Sequence, residues 1–213
     1  VNTEMGVAQW LLQNEKWLHA NKPVIVEMGA YAKGEIALLC SVVKPTIGVV
    51  TALGSDHVAL FGSEEAIIDA NAELIEALPA NGHAFLNGDS EATRSIESRA
   101  HCPTALVGTH EGMHAVALDI EEQADGLHFR MDNKAYSVPL HGRHHVTNIL
   151  LAIAVAKYLG VTHDRIRELL KTFRPMQHTF NVLEENSITI LDDTYNISPL
   201  SMKAAMDWAA ERK

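Results

Sequence analysis

The sequence of 213 residues has little cysteine and no long apolar run. Its two cysteines, Cys40 and Cys102, match neither a disulfide framework nor the paired spacing of a zinc site, which favours a reducing compartment. The longest apolar run, residues 149–156, stops at Lys157, whereas a membrane-spanning helix needs about 20 such residues. We therefore expect a cytoplasmic protein without a membrane span.

Basic residues are also scarce. The chain has 17 Lys and Arg against 27 Asp and Glu, a formal net charge of -10, and the basic residues are scattered. Proteins that grip nucleic acid phosphates need clustered Lys and Arg, so we expect no nucleic acid partner. The content of 47% hydrophobic and 21% charged residues is typical of a folded globular protein, and the length allows one or two domains.

The sequence also lacks a phosphate loop of the form G-x-x-x-x-G-K-[ST]. It begins at Val1 with neither an initiator methionine nor a secretory signal. The helix predicted at its other end runs to residues 211–213 without a capping glycine or asparagine. These features lead us to expect a piece of a longer protein.

What the sequence does contain is an alternation of short apolar stretches with longer periodic segments. This pattern predicts an α/β fold, with a mostly parallel, doubly wound sheet flanked by helices. The predicted strands cover residues 24–28, 46–53, 83–86 and 104–107, and the predicted helices cover 34–43 and about 63–78, with another starting near Asp89 or Ser90.

The pattern changes after residue 114. Residues 115–120, 126–131 and 134–138 are β-prone, with a tight turn at Asp132-Asn133, and they predict a small antiparallel sheet. Farther along we predict a helix between Gly142 and Gly160, a helix from its cap Thr162 to about Phe173, a linker at Arg174-Pro175, a strand at 188–191 and a helix starting at Ser198-Pro199.

Two polar residues follow the first two predicted strands. Glu27 ends one strand, and His57 lies in the loop after the next. Ligands of open α/β sheets bind at this edge, where a carboxylate and an imidazole can share a divalent metal and the phosphate oxygens that it carries. The alternative, which position alone favours, is that Glu27 caps the following helix and His57 bonds to the backbone.

Two further groups are rich in polar residues. Residues 141–148 (HGRHHVTN) contain three histidines but no carboxylate or thiol at zinc spacing, so we expect no metal there. Their side chains either face a nucleotide or cap a helix. Residues 192–196 (DDTYN) end a strand before a helix, where polar clusters bind ribose or base, or only form the turn.

Taken in order, these groups form a family pattern. It comprises residues 26–30 (VEMGA), 34–36 (GEI), 56–57 (DH), 61–63 (FGS), 142–148 (GRHHVTN) and 190–199 (ILDDTYNISP). Each motif alone is weak, but the ordered set resembles the central domain of the Mur ligases over nearly the whole chain. The resemblance is closest to the members that add D-alanyl-D-alanine to a UDP-N-acetylmuramoyl tripeptide.

The resemblance implies a fold and a reaction. Residues 1–173 would form a P-loop NTPase-like central, ATP-binding domain without its phosphate loop, and residues 174–213 a linker and the start of a Rossmann-like C-terminal domain. In this family ATP phosphorylates a carboxylate of a UDP-N-acetylmuramoyl peptide. An amino acid or dipeptide then displaces phosphate from the acyl phosphate, forming an amide bond in peptidoglycan precursor synthesis.

The resemblance also implies roles for residues. Glu27 and His57 would be catalytic, each holding a magnesium ion near the ATP phosphates. The nucleotide-binding residues would be Asn148 near the adenine, His145 beside it, and Asp193, Tyr195 and Asn196 in the hinge that closes over the nucleotide.

Three positions depart from the family pattern. Asn71 stands where the family has a lysine that becomes carbamylated and helps hold the second magnesium ion. His144-His145 replaces a His-Asn pair, and His178-Thr179 replaces a Gly-Arg pair. Two hypotheses follow: a full-length ligase of divergent type, of which this piece alone is inactive, or a non-catalytic Mur-like protein that binds a nucleotide or a precursor.

Overall fold

The computed structural model describes residues 3–18, 22–53, 58–195 and 199–212. The chain divides into two compact units, which we call unit 1 (Val1–Leu86 and Ser90–Ala105) and unit 2 (Asn87–Asp89 and Leu106–Lys213). The domain boundary predicted between residues 173 and 174 remains a prediction. No helix in the described part of the chain is both long and apolar enough to cross a membrane.

Unit 1 packs helices beside parallel strands. Ser63 caps its longest helix, because the Ser63 hydroxyl accepts a hydrogen bond from the backbone N–H of Ala66 and two acidic residues occupy the first turn. This start is where the sequence predicts it. The elements are α1 (Glu4–Gln13), α2 (Glu15–Leu18), α3 (Glu35–Val43), β1 (Ile47–Val50), α4 (Val58–Phe61), α5 (Glu64–Glu76), β2 (His83–Asn87), α6 (Glu91–Ser95) and a 3-10 turn at Glu97–Arg99.

The parallel sheet has the strand order β1-β2-β3-β4, with β3 at Thr104–Gly108 and β4 at Ala115–Val116. In unit 1, β1 pairs with β2 in parallel, with Ile47 opposite His83. In unit 2, β3 pairs with β4 in parallel, with Val107 opposite Ala115. The predicted α/β class with a parallel sheet is confirmed.

Unit 2 continues with an antiparallel sheet of β5 (Leu118–Gln123), β6 (Gly126–Met131) and β7 (Lys134–Val138). Asp132 and Asn133 have φ values of 51° and 58°, as a two-residue hairpin turn requires. The predicted small sheet and its turn are confirmed. The prediction of one strand over residues 115–120 is wrong, because β4 pairs with β3 while β5 starts at Leu118 and is irregular at Asp119, whose φ is 51°.

The rest of unit 2 begins with a 3-10 turn at Arg143–His145, followed by α7 (Val146–Tyr158) and α8 (His163–Lys171), which Thr162 caps as predicted. A hairpin then joins β8 (Asn181–Glu185) to β9 (Ile188–Asp192). The last helix is α9 (Pro199–Ala210). The strand β8 was not predicted from the sequence.

The strand predicted at residues 24–28 is the clearest error. These residues form no strand, and the side chains of Val24 and Ile25 are 38% and 96% exposed. An extended segment becomes a strand only when a neighbour pairs with its backbone, and no described strand pairs with this one. The strand predicted at 46–53 is real but shorter, since β1 ends at Val50.

Candidate functional site

The predicted site residues are distributed over both units. In unit 1, Glu27 is exposed in the segment that forms no strand. His57 and Asn196 lie outside the described residues, so the predicted Glu27–His57 metal pair remains a prediction. The other predicted residues, Asn148, His145, Asp193 and Tyr195, belong to unit 2.

Unit 2 contains an aromatic centre at Phe180, whose side chain is 1% exposed. Three rings surround it: the ring centroids of His144, His145 and Trp208 lie 4.8, 5.8 and 6.1 Å from that of Phe180. Edge-to-face contacts of this kind are favourable beyond the area they bury. We call the group formed by His144, His145, Thr179, Phe180, Asp193 and Trp208 the Phe180 cluster.

The Phe180 cluster contains buried polar atoms without partners. The Oδ1 atom of Asp193 accepts a hydrogen bond of 3.0 Å from the backbone N–H of Phe180. Among the described residues, however, Asp193 Oδ2, His145 Nε2 and Thr179 Oγ1 are buried and have no hydrogen-bond partner. Most buried polar atoms in folded proteins are partnered by protein groups or ordered water, so these three atoms make the Phe180 cluster a candidate site for water or a polar ligand.

His145 is neutral at physiological pH. Desolvation by burial, and secondly the neighbouring His144, lower the pKa of His145 to about 4. A neutral imidazole has one donor nitrogen and one acceptor nitrogen. His145 can therefore bind an uncharged polar group rather than pair with an anion.

Asn148 lies in the first turn of α7 and is exposed to solvent. It is three residues from His145, so the two side chains project from the same face of this helix start. Next to Asn148, the Thr147 hydroxyl donates a hydrogen bond of 2.6 Å to Asp89 Oδ2. The turn that presents Asn148 is therefore anchored in unit 2.

Asp89 is a residue that the sequence analysis treated only as a possible helix start. Its carboxylate also accepts hydrogen bonds from the backbone N–H of Thr109, at 2.8 Å, and from His110 Nδ1, at 2.7 Å. Burial acts to raise the pKa of Asp89, but the hydrogen bonds from Thr147, Thr109 and His110 outweigh it, and the pKa is lowered. The only sequence feature that pointed to Asp89 as a hydrogen-bonding centre was its position just after β2.

The predicted hinge group forms a compact local network. His178 Nδ1 lies 2.7 Å from Asp192 Oδ2, and the backbone N–H of Tyr195 donates to the His178 carbonyl at 2.9 Å. The Tyr195 side chain is 66% exposed. Among the described residues of this group, only Asp193 carries an unpartnered buried atom.

The described side chains around Asn71 on α5 are not arranged as a metal site. Its side-chain amide donates to the Ile67 carbonyl at 2.8 Å, within its own helix. Asp69 pairs with Lys33 and Arg99, and Glu73 accepts from the backbone N–H groups of Gly34 and Ala37.

Within the described ranges, no group of three or more His, Cys, Asp or Glu side chains is arranged to hold a metal ion. This part of α5 therefore offers no free carboxylate in place of the carbamylated lysine that the resemblance implies.

Comparisons with known proteins identify the family of the chain. A family model described as the Mur ligase middle domain matches residues 1–156. The UDP-N-acetylmuramoyl-tripeptide--D-alanyl-D-alanine ligase of Synechocystis sp. is 32% identical over 209 residues, which cover 98% of this chain and 44% of that protein. The chain thus spans less than half the length of this relative.

Solved structures give the same result. A crystal structure of MurF from Acinetobacter baumannii superposes with a TM-score of 0.81 at 26% identity, covering 88% of this chain and 42% of that one. MurF ligase from Thermotoga maritima in complex with ADP superposes with a TM-score of 0.75 at 27% identity, covering 85% of this chain and 43% of that one. By its sequence and its fold, the chain belongs to the Mur ligase middle domain family.

Proposed function

We propose that the chain is the central part of an ATP-dependent amide ligase of peptidoglycan precursor synthesis. The observation that carries this proposal is the Phe180 cluster, in which two of the three unpartnered atoms belong to His145 and Asp193, residues that the family resemblance assigns to nucleotide binding. The relative with 32% identity is named for the addition of D-alanyl-D-alanine to a UDP-N-acetylmuramoyl tripeptide. We propose the same two substrates here.

The residues of unit 2 suit an uncharged, hydroxyl-bearing part of a nucleotide. The unpartnered Oδ2 of Asp193 accepts from a ribose hydroxyl, and neutral His145 and exposed Asn148 offer groups for the base. One of the structural neighbours is named as a complex with ADP. This set binds and orients the nucleoside part of ATP.

Magnesium is part of the proposal because ATP phosphates carry it into most such sites. Magnesium binds to one or two carboxylates together with substrate phosphates, and exposed Glu27 fits that role for the ion on the ATP phosphates, with His57 proposed to hold a second ion. The ion would neutralise charge on the transferred phosphoryl group. The two described cysteines are unpaired, and together with ATP as substrate they favour a cytoplasmic location.

The alternative is a non-catalytic Mur-like protein that binds a nucleotide or a UDP-sugar precursor. Asn71 supports it, since an amide cannot become a carbamate and this one is bonded to Ile67. Thr179 supports it too, because a neutral hydroxyl cannot replace a guanidinium near phosphates. In this case the Phe180 cluster would hold a nucleotide without turnover.

Phosphate release by the full-length protein separates the two functions. With MgATP, UDP-N-acetylmuramoyl tripeptide and D-alanyl-D-alanine, we expect release that requires both acceptor substrates. Asp193→Ala should raise the KM for ATP about tenfold, as expected for loss of a hydrogen bond to a charged group. Asp164→Ala, at a carboxylate whose side chain is 87% exposed, is the matched control and should leave the KM unchanged.

Absence of phosphate release under these conditions would contradict the ligase proposal. ADP binding without turnover would then establish the non-catalytic alternative. Absence of both would contradict nucleotide binding altogether.

A further inference from the structure

Glu122, on β5, is a buried carboxylate that the proposed site does not include. Its side chain is only 9% exposed, yet it accepts hydrogen bonds from four groups. Oε2 accepts from the backbone N–H of Gly142 at 3.2 Å. Oε1 accepts from His141 Nδ1 at 3.1 Å, from an Arg212 guanidinium nitrogen at 2.9 Å and from the indole N–H of Trp208.

Two of these donors come from the end of the chain. Trp208 is 7% exposed and is the one buried side chain among the described residues 201–212. The Arg212 guanidinium carbon lies 3.8 Å from the centre of the Trp208 ring, which adds a cation–π contact. Within unit 2, Trp208 of α9 and Arg212, two residues after the end of α9, therefore connect this segment to Glu122.

The other two donors belong to the turn that leads into α7. Gly142 has a φ of 93°, and a Cβ atom built on it would lie 2.6 Å from His144 Cε1 and 3.0 Å from Phe180 Cε1. The backbone therefore passes so close to the Phe180 cluster that only glycine fits. Since Glu122 holds Gly142 N–H from the opposite side, it fixes the turn that presents His145 and Asn148.

We propose that Glu122 is a positioning residue that couples the docking of α9 to the geometry of the nucleotide-facing turn. A buried carboxylate must keep its donors, because an unpaired buried charge is strongly destabilising. When Arg212 and Trp208 move away with α9, Glu122 turns toward water and releases Gly142. The hydrogen bonds of Glu122 do not depend on the proposed function. Only their consequence for ATP binding rests on it.

Amide hydrogen exchange on the 213-residue chain tests this coupling. Arg212→Gln, two residues after the end of α9, removes a donor that contacts Glu122 and Trp208. We expect the amides of Gly142, His145 and Val146 to exchange about tenfold faster, the factor for one lost hydrogen bond to a charged group. The matched control is Lys203→Gln on the same helix, which removes the pair of Lys203 with Asp207 and should leave these amides unchanged.

A second pair of variants tests Glu122 itself. Glu122→Gln should speed exchange both in α9 and at Gly142, while Glu121→Gln, at the exposed neighbouring position, should change neither. Exchange of the β6 amides reports whether each variant is still folded. If Glu122→Gln unfolds unit 2, the Arg212→Gln comparison decides the question by itself.

The coupling is refuted if Arg212→Gln speeds exchange in α9 but leaves Gly142 within about twofold of the original rate. Glu122 would then anchor the helix without positioning the turn. Absence of ADP binding by the full-length protein would contradict the proposed function but would not alter these exchange rates, so the two ideas fail separately.

Discussion

The region around Asn71 in unit 1 and the Phe180 cluster in unit 2 use their polar groups in opposite ways. In unit 1, Asp69 is paired with two cations, Asn71 is bonded to its own helix and Glu73 caps α3. In unit 2, three buried polar atoms have no partner within the described part of the chain. Polar groups that are satisfied internally stabilise the fold, whereas unsatisfied buried ones call for a partner such as ordered water or a ligand.

We therefore propose the Phe180 cluster, and not α5, as the candidate binding site. Both functions that the sequence leaves open need nucleotide binding. Only the ligase needs a metal ligand in place of the carbamylated lysine, and the carboxylates of Asp69 and Glu73 on α5 are already engaged. The predictions below test each side of the comparison.

Asp89 in unit 2, unlike the unpartnered atoms of the Phe180 cluster, has a fully engaged carboxylate. Asp89→Ala should lower the free energy of unfolding by about 3 kcal/mol, since it leaves the Thr147 hydroxyl and the Thr109 N–H without their acceptor. Urea denaturation at neutral pH measures this. Asp125→Ala, at a carboxylate that is 73% exposed, serves as the control and should change little.

The Asp89 effect also has a defined pH dependence. Because the folded-state pKa of Asp89 is lowered from its usual 3.8, its stabilisation is present above that value and is lost as pH falls through the folded pKa. The difference between the original protein and Asp89→Asn should therefore shrink below about pH 4. A difference that stays constant with pH would contradict an ionised, hydrogen-bonded Asp89.

His145 should make the free energy of unfolding depend on pH, at pH values above those at which carboxylates titrate. Its folded-state pKa of about 4 lies below its usual value of 6.5, so the unfolded chain binds the proton more readily. Stability is fully present above pH 6.5 and should fall on acidification toward pH 4, by on the order of 2 kcal/mol. His145→Gln should flatten this part of the profile. An unchanged profile would show that His145 is not desolvated as described.

Glu73 tests whether the polar groups around Asn71 in unit 1 stabilise the fold through their internal hydrogen bonds. The residue is 7% exposed, and Glu73→Gln should destabilise unit 1 by about 1–2 kcal/mol, as for loss of a helix cap. Glu65→Gln on the first turn of the same helix is a control, since Glu65 is exposed. Equal stability of both variants would mean that Glu73 is free, and the contrast between the two regions would be lost.

Asn71→Lys would supply the amine that the family uses to capture carbon dioxide. In the full-length protein we expect turnover to rise about tenfold, with added bicarbonate increasing the gain, judging from the effect of metal-ligand support on activity. Phosphate release with both acceptor substrates measures it. An already active protein that this change leaves unaltered would show that another group holds the second metal ion.

The sequence predicted best what depends on neighbours along the chain. The caps at Ser63 and Thr162 and the turn at Asp132-Asn133 were found because each depends on residues within about four positions. The strand at residues 24–28 was wrong for the opposite reason, because apolar residues do not create a strand without a partner. The strand β8 was missed because its hairpin turn, Asn186-Ser187, is not a typical turn pair.

The candidate site shows the same limit. The family pattern selected His145, Asn148 and Asp193, but local spacing could not show that Phe180 lies beside His145 and Asp193. Glu122 and Asp89 were missed because their partners are distant: Trp208 is 86 positions from Glu122, and Thr147 is 58 positions from Asp89. Such contacts are set by tertiary packing, and the spacing of residues along this sequence does not predict them.

The most direct test of the account is an ADP titration of the full-length protein in which the imidazole nitrogen resonances of His145 are monitored. We expect saturable shifts at His145, and Asp193→Ala should weaken ADP binding about tenfold through loss of the buried carboxylate acceptor. Asp164→Ala should bind ADP normally. ADP binding that leaves His145 unshifted and is insensitive to Asp193→Ala would show that the unpartnered atoms of the Phe180 cluster do not serve the nucleotide.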